Sequence, residues 1–371
     1  MNKKLITALV ALSLIVPTTA NAALKNQTAR PSVAILDTAI DTSLPLFNGK
    51  IIQEVCLIEW TTCPNGQSFM EGPGAASMPV SLMSKNGFDH GTQMVSTFIT
   101  NNPNVDVVFI KVIGNSATGA RQTAGEAAVY NALRWVKQNA SKYNIQAVTM
   151  SQGHHNLGPA GTDYCPKTPI TEQSIKDLAA MDIPVFFPVG NGGDYKRIDW
   201  PACLDVSVSV GAVDRSPFIA GNTNYDDSKV DMFATGYVTV PSVGNVVKNI
   251  AGSSAATQVV AAKWLEIKSK NPSASMNDIL NAFKATLVNV TGKPGTFQKL
   301  IDVNAALSYQ PSSAVDNTAK ILAEKEAAKA ALKAQVDAAI AAAEAQYQIE
   351  LKAAQDKLAA TKSTWLAKLN G

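Results

Sequence analysis

The sequence has little charge, few aromatic residues and only three histidines. Charged residues make up 16% of the 371 positions and aromatic residues 6%, and the formal net charge is +3. A net charge this small argues against nucleic acid or an anionic membrane as the main partner. The sequence also lacks a P-loop, a dinucleotide-binding glycine fingerprint and an H-E-x-x-H motif, which are signatures of common nucleotide and zinc enzymes.

Long hydrophobic runs are missing except at the N-terminus. There, Lys3 and Lys4 precede an apolar stretch over residues 5–16, and "ANA" at 20–22 matches a small-x-small cleavage site. The apolar stretch is shorter than the roughly 20 residues that a membrane helix needs. We therefore predict a signal peptide over residues 1–22, a secreted or cell-surface location, and no transmembrane segment after signal removal.

Cysteine is limited to four residues, and none of them has C-x-x-C spacing. They are Cys56, Cys63, Cys165 and Cys203. Four cysteines in an exported chain indicate two disulfides, for which three pairings are open. We favour Cys56–Cys63, a short local loop, together with Cys165–Cys203. The spacing argues against a cysteine metal site, and we predict no metal ligands.

Residues 31–310 alternate strand-like and helix-like segments. The strand-like segments are apolar and rich in β-branched residues, and they cover 32–37, 105–113, 145–151, 183–190 and 205–213. The helix-like segments cover 91–100, 122–140, 171–181, 254–269 and 276–286. This alternation predicts an α/β fold with a doubly wound, mostly parallel sheet and helices on both faces. Because ligands of such sheets bind outside the carboxyl ends of the strands, the polar residues there are the candidates for a site.

Glycine and proline are absent from Ser312 to Asn370, where alanine dominates. This composition predicts a long C-terminal helix. The chain then divides into a signal peptide (1–22), a main domain (23–310) and a helical extension (311–371). A thin apolar stripe on the helix predicts self-association, as in a coiled coil, or packing on the main domain, and a solvated spacer helix is the alternative.

Two adjacent hydroxyls, Ser253 and Ser254, follow Gly252 at the start of a helix-like segment. A serine becomes a nucleophile when a base takes its proton and a carboxylate orients that base. His90, in "FDHGTQMV", stands at another helix start and is the candidate base. Asp37 ends the first strand-like segment and is the candidate carboxylate. Asp41 ranks lower because it falls beyond the strand end.

Taken in order, "ILDTAID", "DHGTQMV" and "AGSSAAT" resemble the three signature blocks of the subtilisin-like serine peptidases. The resemblance covers about residues 31–310. It implies that Asp37 orients the base, that His90 is the general base and acid, and that Ser254 is the nucleophile.

Two further blocks carry the same resemblance. "VFFPVGNGGD" resembles the segment whose asparagine, here Asn191, donates to the oxyanion, and "AVTMSQGHH" resembles the edge along which substrate pairs as an added strand. The substrate-binding residues so implied are Ser151, Gln152, Gly153, His154 and Gly190.

The chain departs from the family pattern near the site. The departures are Ala39, Gln93, Ala255, Gln258 and His154. None of them is a triad residue, so the chemistry is expected to survive. We hypothesise that the His154 side chain narrows the pocket for the residue before the scissile bond and favours small or acidic residues there.

The predicted function is an exported serine endopeptidase that hydrolyses peptide bonds through an acyl-enzyme and has proteins or peptides as substrates. No cofactor is required by this chemistry. The resemblance leaves structural calcium open, with Asp194, Asp226 and Asp227 as candidate ligands. The alternatives are a catalytically weak surface protein of the same fold, which binds peptides or partners, and an esterase with the same triad.

Overall fold

The structure is a computed structural model that describes residues 30–116, 119–155, 165–215, 217–309 and 318–369. The predicted signal peptide lies outside these residues. By its internal contacts the chain divides into two units, Met1–Tyr309 and Gln310–Gly371, and each is described by itself. None of the helices in the described ranges has an apolar stretch long enough to cross a membrane.

The described strands of the first unit alternate with helices along the chain. They are β1 (Ser32–Asp37), β2 (Ile51–Leu57), β3 (Phe69–Glu71), β4 (Asp106–Lys111), β5 (Ile145–Met150), β6 (Val185–Pro188), β7 (Val208–Arg215), β8 (Phe218–Ile219), β9 (Met232–Thr235), β10 (Tyr237–Ser242), β11 (Val246–Ala251), β12 (Val288–Gly292) and β13 (Gly295–Leu300). Eleven of these form one sheet in the order β3-β2-β4-β1-β5-β6-β7-β8-β12-β13-β9. From β2 to β7 the neighbouring strands run parallel, which confirms the predicted doubly wound, mostly parallel sheet.

The described helices lie between these strands and after them. They are α1 (Val80–Asn86), α2 (His90–Asn101), α3 (Glu126–Tyr143), α4 (Pro169–Ala179), α5 (Ser253–Lys270), α6 (Met276–Ala285), α7 (Val303–Ser308) and α8 (Thr318–Leu369). The five predicted helix-like segments coincide with α2 to α6 to within a few residues.

The central strand β1 separates two apolar cores. All six of its residues are buried, which accounts for the uninterrupted apolar run. Val33 and Ile35 pack in a cluster with side chains of α2 and α5. Ala34 and Leu36 pack in a second cluster with side chains of α3 and α4. Because alternate residues of a strand point to opposite faces, helices cover both faces of the sheet.

The carboxyl end of β1 is the switch point of the sheet, since β1 pairs with β4 on one side and with β5 on the other. Two helices begin at this edge. The backbone N–H of Gly91, in α2, donates to Thr38 Oγ1 just after β1 at 2.9 Å. Ser151 Oγ, just after β5, donates to the Ser254 carbonyl in α5 at 3.0 Å. Side chains from four elements therefore meet outside the strand ends.

Two disulfides stabilise loops of the first unit. They join Cys56 to Cys63 and Cys165 to Cys203, as the favoured pairing predicts. The second bridge ties the residues before α4 to the loop between β6 and β7.

The second unit contains the single long helix α8, which spans 52 residues. It confirms the predicted C-terminal helix. The apolar side chains Val336, Ile340, Tyr347 and Leu358 are exposed along it.

Candidate active site

An aspartate and a histidine from different elements form an ion-pair geometry at the switch point. His90 Nδ1 lies 2.8 Å from Asp37 Oδ1 and 3.1 Å from Oδ2. Asp37 is fully buried, whereas His90 is partly accessible. Because a carboxylate only accepts hydrogen bonds, Nδ1 carries the proton, and Nε2 of the neutral ring is left as an acceptor.

Thr38 fixes the start of α2 against the end of β1. Its hydroxyl donates to the Phe88 carbonyl at 2.9 Å and accepts from the Gly91 N–H at 2.9 Å. Its own N–H donates to Asp37 Oδ1 at 2.7 Å. A glycine is needed at position 91, since a Cβ there would lie 2.4 Å from the Ala39 carbonyl oxygen. One threonine and one glycine thus set the position of His90 relative to Asp37.

The two adjacent serines have different surroundings. Ser253 is fully buried. Its hydroxyl accepts from the Gly190 N–H at 3.2 Å and donates to Asn191 Oδ1 at 3.1 Å. Ser254 is partly accessible, and its hydroxyl donates to the Ser151 carbonyl at 3.2 Å. The hydroxyl of Ser253 is therefore held inside the fold, and that of Ser254 faces the cleft.

One cleft of about 420 Å³ is lined by His90 and Ser254 together. In the described part of the chain the Ser254 hydroxyl bonds to Ser151 and has no hydrogen bond to His90. Catalytic hydrogen bonds are often long or poorly aligned in a free enzyme, so the missing hydrogen bond is compatible with the predicted pairing of His90 and Ser254.

Asn191 is oriented by the helix that carries the serines. Its Oδ1 accepts from the Ser253 N–H at 2.9 Å, which leaves the amide Nδ2 as the donor of this exposed side chain. Asn191 also lines the cleft. The first backbone N–H groups of α5 have no acceptor within the helix. The site therefore offers two kinds of donor, a side-chain amide and a helix N-terminus.

The side chain of Gln152 faces the Asp–His pair. Its Nε2 donates to Asp37 Oδ1 at 3.1 Å and lies 3.0 Å from His90 Nδ1. Sequence reasoning placed Gln152 on the substrate edge and missed this contact, because alternation along a strand does not determine side-chain direction beyond the strand end.

Behind the nucleophile, Gln258 supports the strand end that carries Ser151. Gln258 is fully buried, and its Nε2 donates to Ser151 Oγ at 2.8 Å and to Thr149 Oγ1 at 3.0 Å. Ser151 Oγ in turn bonds to the Ser254 carbonyl at 3.0 Å. This departure from the family pattern is thus part of a satisfied buried network.

The other residues of the predicted substrate edge separate into two groups. Ser151, Gly153 and Gly190 line the cleft. His154 instead exchanges both backbone hydrogen bonds with Trp200, at 3.0 and 3.1 Å, and its ring lies against the indole at a tilt of 34° with centroids 4.9 Å apart.

A second histidine–carboxylate cluster was not predicted, and one of its members, Asp199, lines the cleft. His155 Nδ1 lies 2.8 Å from Asp199 Oδ1, and His155 Nε2 lies 3.3 Å from Asp194 Oδ2. Burial raises the pKa of Asp199, and the hydrogen bond from His155 opposes that rise. Burial also acts to raise the pKa of Asp194, but the Lys196 N–H and the Arg197 guanidinium lower it below its ordinary value. The partners are 39 or more residues apart in sequence, so no local motif signals the cluster.

Lys111 is a buried lysine that lies opposite Asp37 on the neighbouring strand β4. Its Nζ donates to the carbonyls of Thr38 at 2.9 Å and Ile113 at 2.6 Å. Burial lowers the pKa of Lys111 to about 7, although the Asp37 carboxylate acts in the opposite direction.

The candidate calcium ligands are engaged by protein donors. Asp194 Oδ2 accepts from Arg197 Nε at 2.8 Å, and Asp227 Oδ1 accepts from the Tyr225 hydroxyl at 2.7 Å. Across the described ranges, no group of three or more His, Cys, Asp or Glu residues is arranged to hold a metal ion. Structural calcium is left open, as it was by the resemblance.

Comparison with known proteins identifies the class. A family model described as the subtilase family of peptidases matches residues 28–319, and the chain therefore belongs to this family. The membership makes it a serine-type endopeptidase.

Individual relatives are similar at a moderate level. Subtilisin DY of Bacillus licheniformis is 27% identical over 248 residues, which are 63% of this chain and 82% of the relative. Alkaline elastase YaB of Bacillus sp. (strain YaB) is 27% identical over 245 residues, or 63% of this chain and 59% of the relative. A solved protease of Pseudoalteromonas arctica has a TM-score of 0.59 at 19% identity and covers 75% of this chain and 89% of its own. That structure supports the fold alone.

Proposed function

We propose that the protein is an exported serine endopeptidase that hydrolyses peptide bonds through an acyl-enzyme on Ser254. The single observation that carries this proposal is the 2.8 Å contact between His90 Nδ1 and the buried Asp37 carboxylate, in one cleft with Ser254. A histidine held in this tautomer presents Nε2 as a base for a serine hydroxyl.

In the first half-reaction, rotation about the Cα–Cβ bond of Ser254 takes its hydroxyl from the Ser151 carbonyl to His90 Nε2. Oγ then attacks the scissile carbonyl carbon as its proton passes to Nε2. The amine leaves when the carbon–nitrogen bond breaks, and it takes that proton from Nε2. Asp37 stays ionised and stabilises the imidazolium.

The negative charge on the carbonyl oxygen is met by Asn191 Nδ2 and by the Ser254 N–H in the first turn of α5. Loss of one such donor typically costs about 10²–10³ in kcat. In the second half-reaction a water gives its proton to Nε2 and attacks the ester, and Ser254 Oγ recovers the proton as the acid departs.

The signal-like N-terminus and the two disulfides support export, because disulfides persist in oxidising compartments.

For α8 we propose self-association through its exposed apolar residues, which include Ile340 and Leu358. Sedimentation of the full chain should then give an oligomer, and Ile340→Lys with Leu358→Lys should give a monomer. A monomeric wild-type chain would contradict self-association and favour the alternatives for α8, which are packing on the main domain or a role as a spacer helix.

Mass spectrometry of a mixed peptide pool tests the proposed activity. The purified chain should generate new peptide ends, and Ser254→Ala should generate none above background. Asn191→Leu is expected to slow cleavage by about 10²–10³ in kcat.

Ser253→Ala is the matched control, since it removes the neighbouring hydroxyl and leaves Ser254 in place. It should retain cleavage, with some loss of stability from its two buried hydrogen bonds. If the wild-type chain binds peptides but releases no products, the alternative of a catalytically weak binding protein is correct. Turnover of esters without peptides would favour the esterase.

A further inference from the structure

The cleft carries a carboxylate that the proposed triad does not use. Asp199 lines it between two glycines. A Cβ at position 190 would lie 2.3 Å from the Asp199 carboxyl group, and a Cβ at position 153 would lie 3.5 Å from Asp199 Cβ. Gly153 belongs to the predicted substrate edge, and Gly190, also a predicted substrate-binding residue, precedes the proposed oxyanion donor Asn191. Asp199 therefore stands on the side of the cleft that receives the acyl part of a substrate.

The Asp199 side chain is held firmly at this wall. Its backbone N–H donates to the Val189 carbonyl at 2.8 Å, and its carbonyl accepts from the Cys203 N–H at 3.0 Å. Both of its side-chain donors, His155 Nδ1 and Asn224 Nδ2, reach Oδ1 at 2.8 Å. Within the described ranges no hydrogen bond to Oδ2 is found, so this oxygen is the one placed to accept from a ligand.

Among the nearby basic groups, His155 contacts Asp199 Oδ1, and the two arginines contact other residues. The guanidinium of Arg197 lies 2.8 Å from Asp194. Arg121, which also lines the cleft, donates to the Gly87 carbonyl at 3.3 Å. Among the described residues that line the cleft, Asp199 carries the one carboxylate. A partly buried carboxylate with an unused oxygen is stabilised by a cation that reaches it.

We propose that Asp199 selects substrates with a basic side chain, arginine or lysine, immediately before the scissile bond. The selection rests on the proposed peptidase function of the same cleft. The ammonium or guanidinium group donates to Asp199 Oδ2, and acidic side chains are repelled. The expectation of small or acidic residues relied on His154, whose ring packs against Trp200 instead.

The test is a peptide series that varies only the residue before the scissile bond: Arg, Lys, Leu, Phe and Glu. With the wild-type chain, kcat/KM for Arg or Lys should exceed that for Leu by about ten- to hundredfold, as one charge-assisted hydrogen bond implies. Asp199→Asn should bring the ratio to within about threefold. Asp205→Asn, which changes an exposed acid of the same loop, should keep the wild-type ratio.

A measurement on the wild-type chain tests the proposed selection even if Asp199→Asn does not fold. A peptide aldehyde ending in arginine should inhibit at least tenfold more strongly than the same peptide ending in phenylalanine. Better cleavage after Phe, Leu or Glu, or an unchanged ratio in Asp199→Asn, would overturn the selection while leaving the peptidase intact. Failure to cleave any peptide, with no covalent labelling of Ser254, would overturn the proposed function and the selection with it.

Discussion

The side-chain amide of Gln152 donates to the same Asp37 oxygen that His90 Nδ1 contacts. Asp37 Oδ1 thereby has three donors, since the Thr38 N–H also reaches it. A fully buried carboxylate needs such donors to remain ionised without water. Gln152, which is predicted from the sequence to lie on the substrate edge and which lines the cleft, thus also contacts the Asp–His pair.

Gln152→Leu should lower kcat/KM by about ten- to hundredfold, because a hydrogen bond to a charged group contributes about 1.5–3 kcal/mol. Steady-state kinetics corrected by active-site titration will measure this. Gln146→Leu is the matched control, since Gln146 lies earlier on β5 and bonds to Asn144. Equal activity of Gln152→Leu and wild type would show that the amide contact is not needed.

Gly91→Ala should disrupt the approach of α2 to β1. The added Cβ would lie 2.4 Å from the Ala39 carbonyl oxygen and 2.7 Å from the Phe109 ring, so the helix must shift. Such overpacking typically costs about 1–3 kcal/mol of unfolding free energy. We expect that loss in chemical denaturation, with at least a tenfold fall in kcat/KM as His90 moves. Gly221→Ala is the control because a Cβ there meets nothing within 4 Å. Similar behaviour of the two variants would contradict the close-packing explanation.

Lys111 should make stability increase with pH above neutrality. Its pKa is about 7 in the fold and 10.5 when unperturbed, so the unfolded chain holds one more proton between these values. The free-energy cost of deprotonating Lys111 on folding is absent above a pH of 10.5, and it grows as the pH falls toward about 7. One proton corresponds to about 1.4 kcal/mol per pH unit.

The prediction for Lys111 is measured by urea unfolding at pH 7.5 and 9.5, in the Ser254→Ala background to prevent self-digestion. Between these two pH values, the unfolding free energy of the chain with Lys111 should increase by roughly 2 kcal/mol more than that of Lys111→Met. Parallel pH dependence of the two chains would mean that the buried amine keeps its ordinary protonation.

The disulfides should differ in their contribution to stability. They close loops with sequence separations of 7 and 38 residues. In the chain-entropy description, these loops correspond to about 2 and about 4 kcal/mol respectively. Replacing Cys165 and Cys203 by alanine should therefore lower the unfolding free energy more than replacing Cys56 and Cys63. The reverse order in calorimetry would contradict the loop-entropy explanation.

The central part of the fold could be predicted from the sequence because its strands are buried on both sides. β1 and β4 are wholly buried, and their inner residues, 33–36 and 107–110, are continuous apolar runs. β2 contains Gln53 and Glu54 and was not predicted. The carboxylate of Glu54 is buried because it accepts from the Gly74 and Ala76 N–H groups, and such long-range partners are invisible in the local pattern.

In the site, the resemblance identified the three triad residues. The contacts of the surrounding residues are visible only in the packed structure. Asp37, His90 and Ser254 stand at element ends that the pattern marks. The contacts of Gln152 and the Asp199–His155 cluster depend on side-chain directions and on loops distant in sequence. A single sequence contains no local pattern that indicates these side-chain directions or these contacts between distant loops.

The central claim is that His90, oriented by Asp37, activates the Ser254 hydroxyl. It is tested most directly by fluorophosphonate labelling of the purified chain, followed by mass-spectrometric mapping of the phosphonylated residue. We predict one adduct, on Ser254, that disappears in Ser254→Ala, falls by orders of magnitude in rate in His90→Ala, and persists in Ser253→Ala. An adduct on Ser253, or equal labelling rates with and without His90, would contradict the claim.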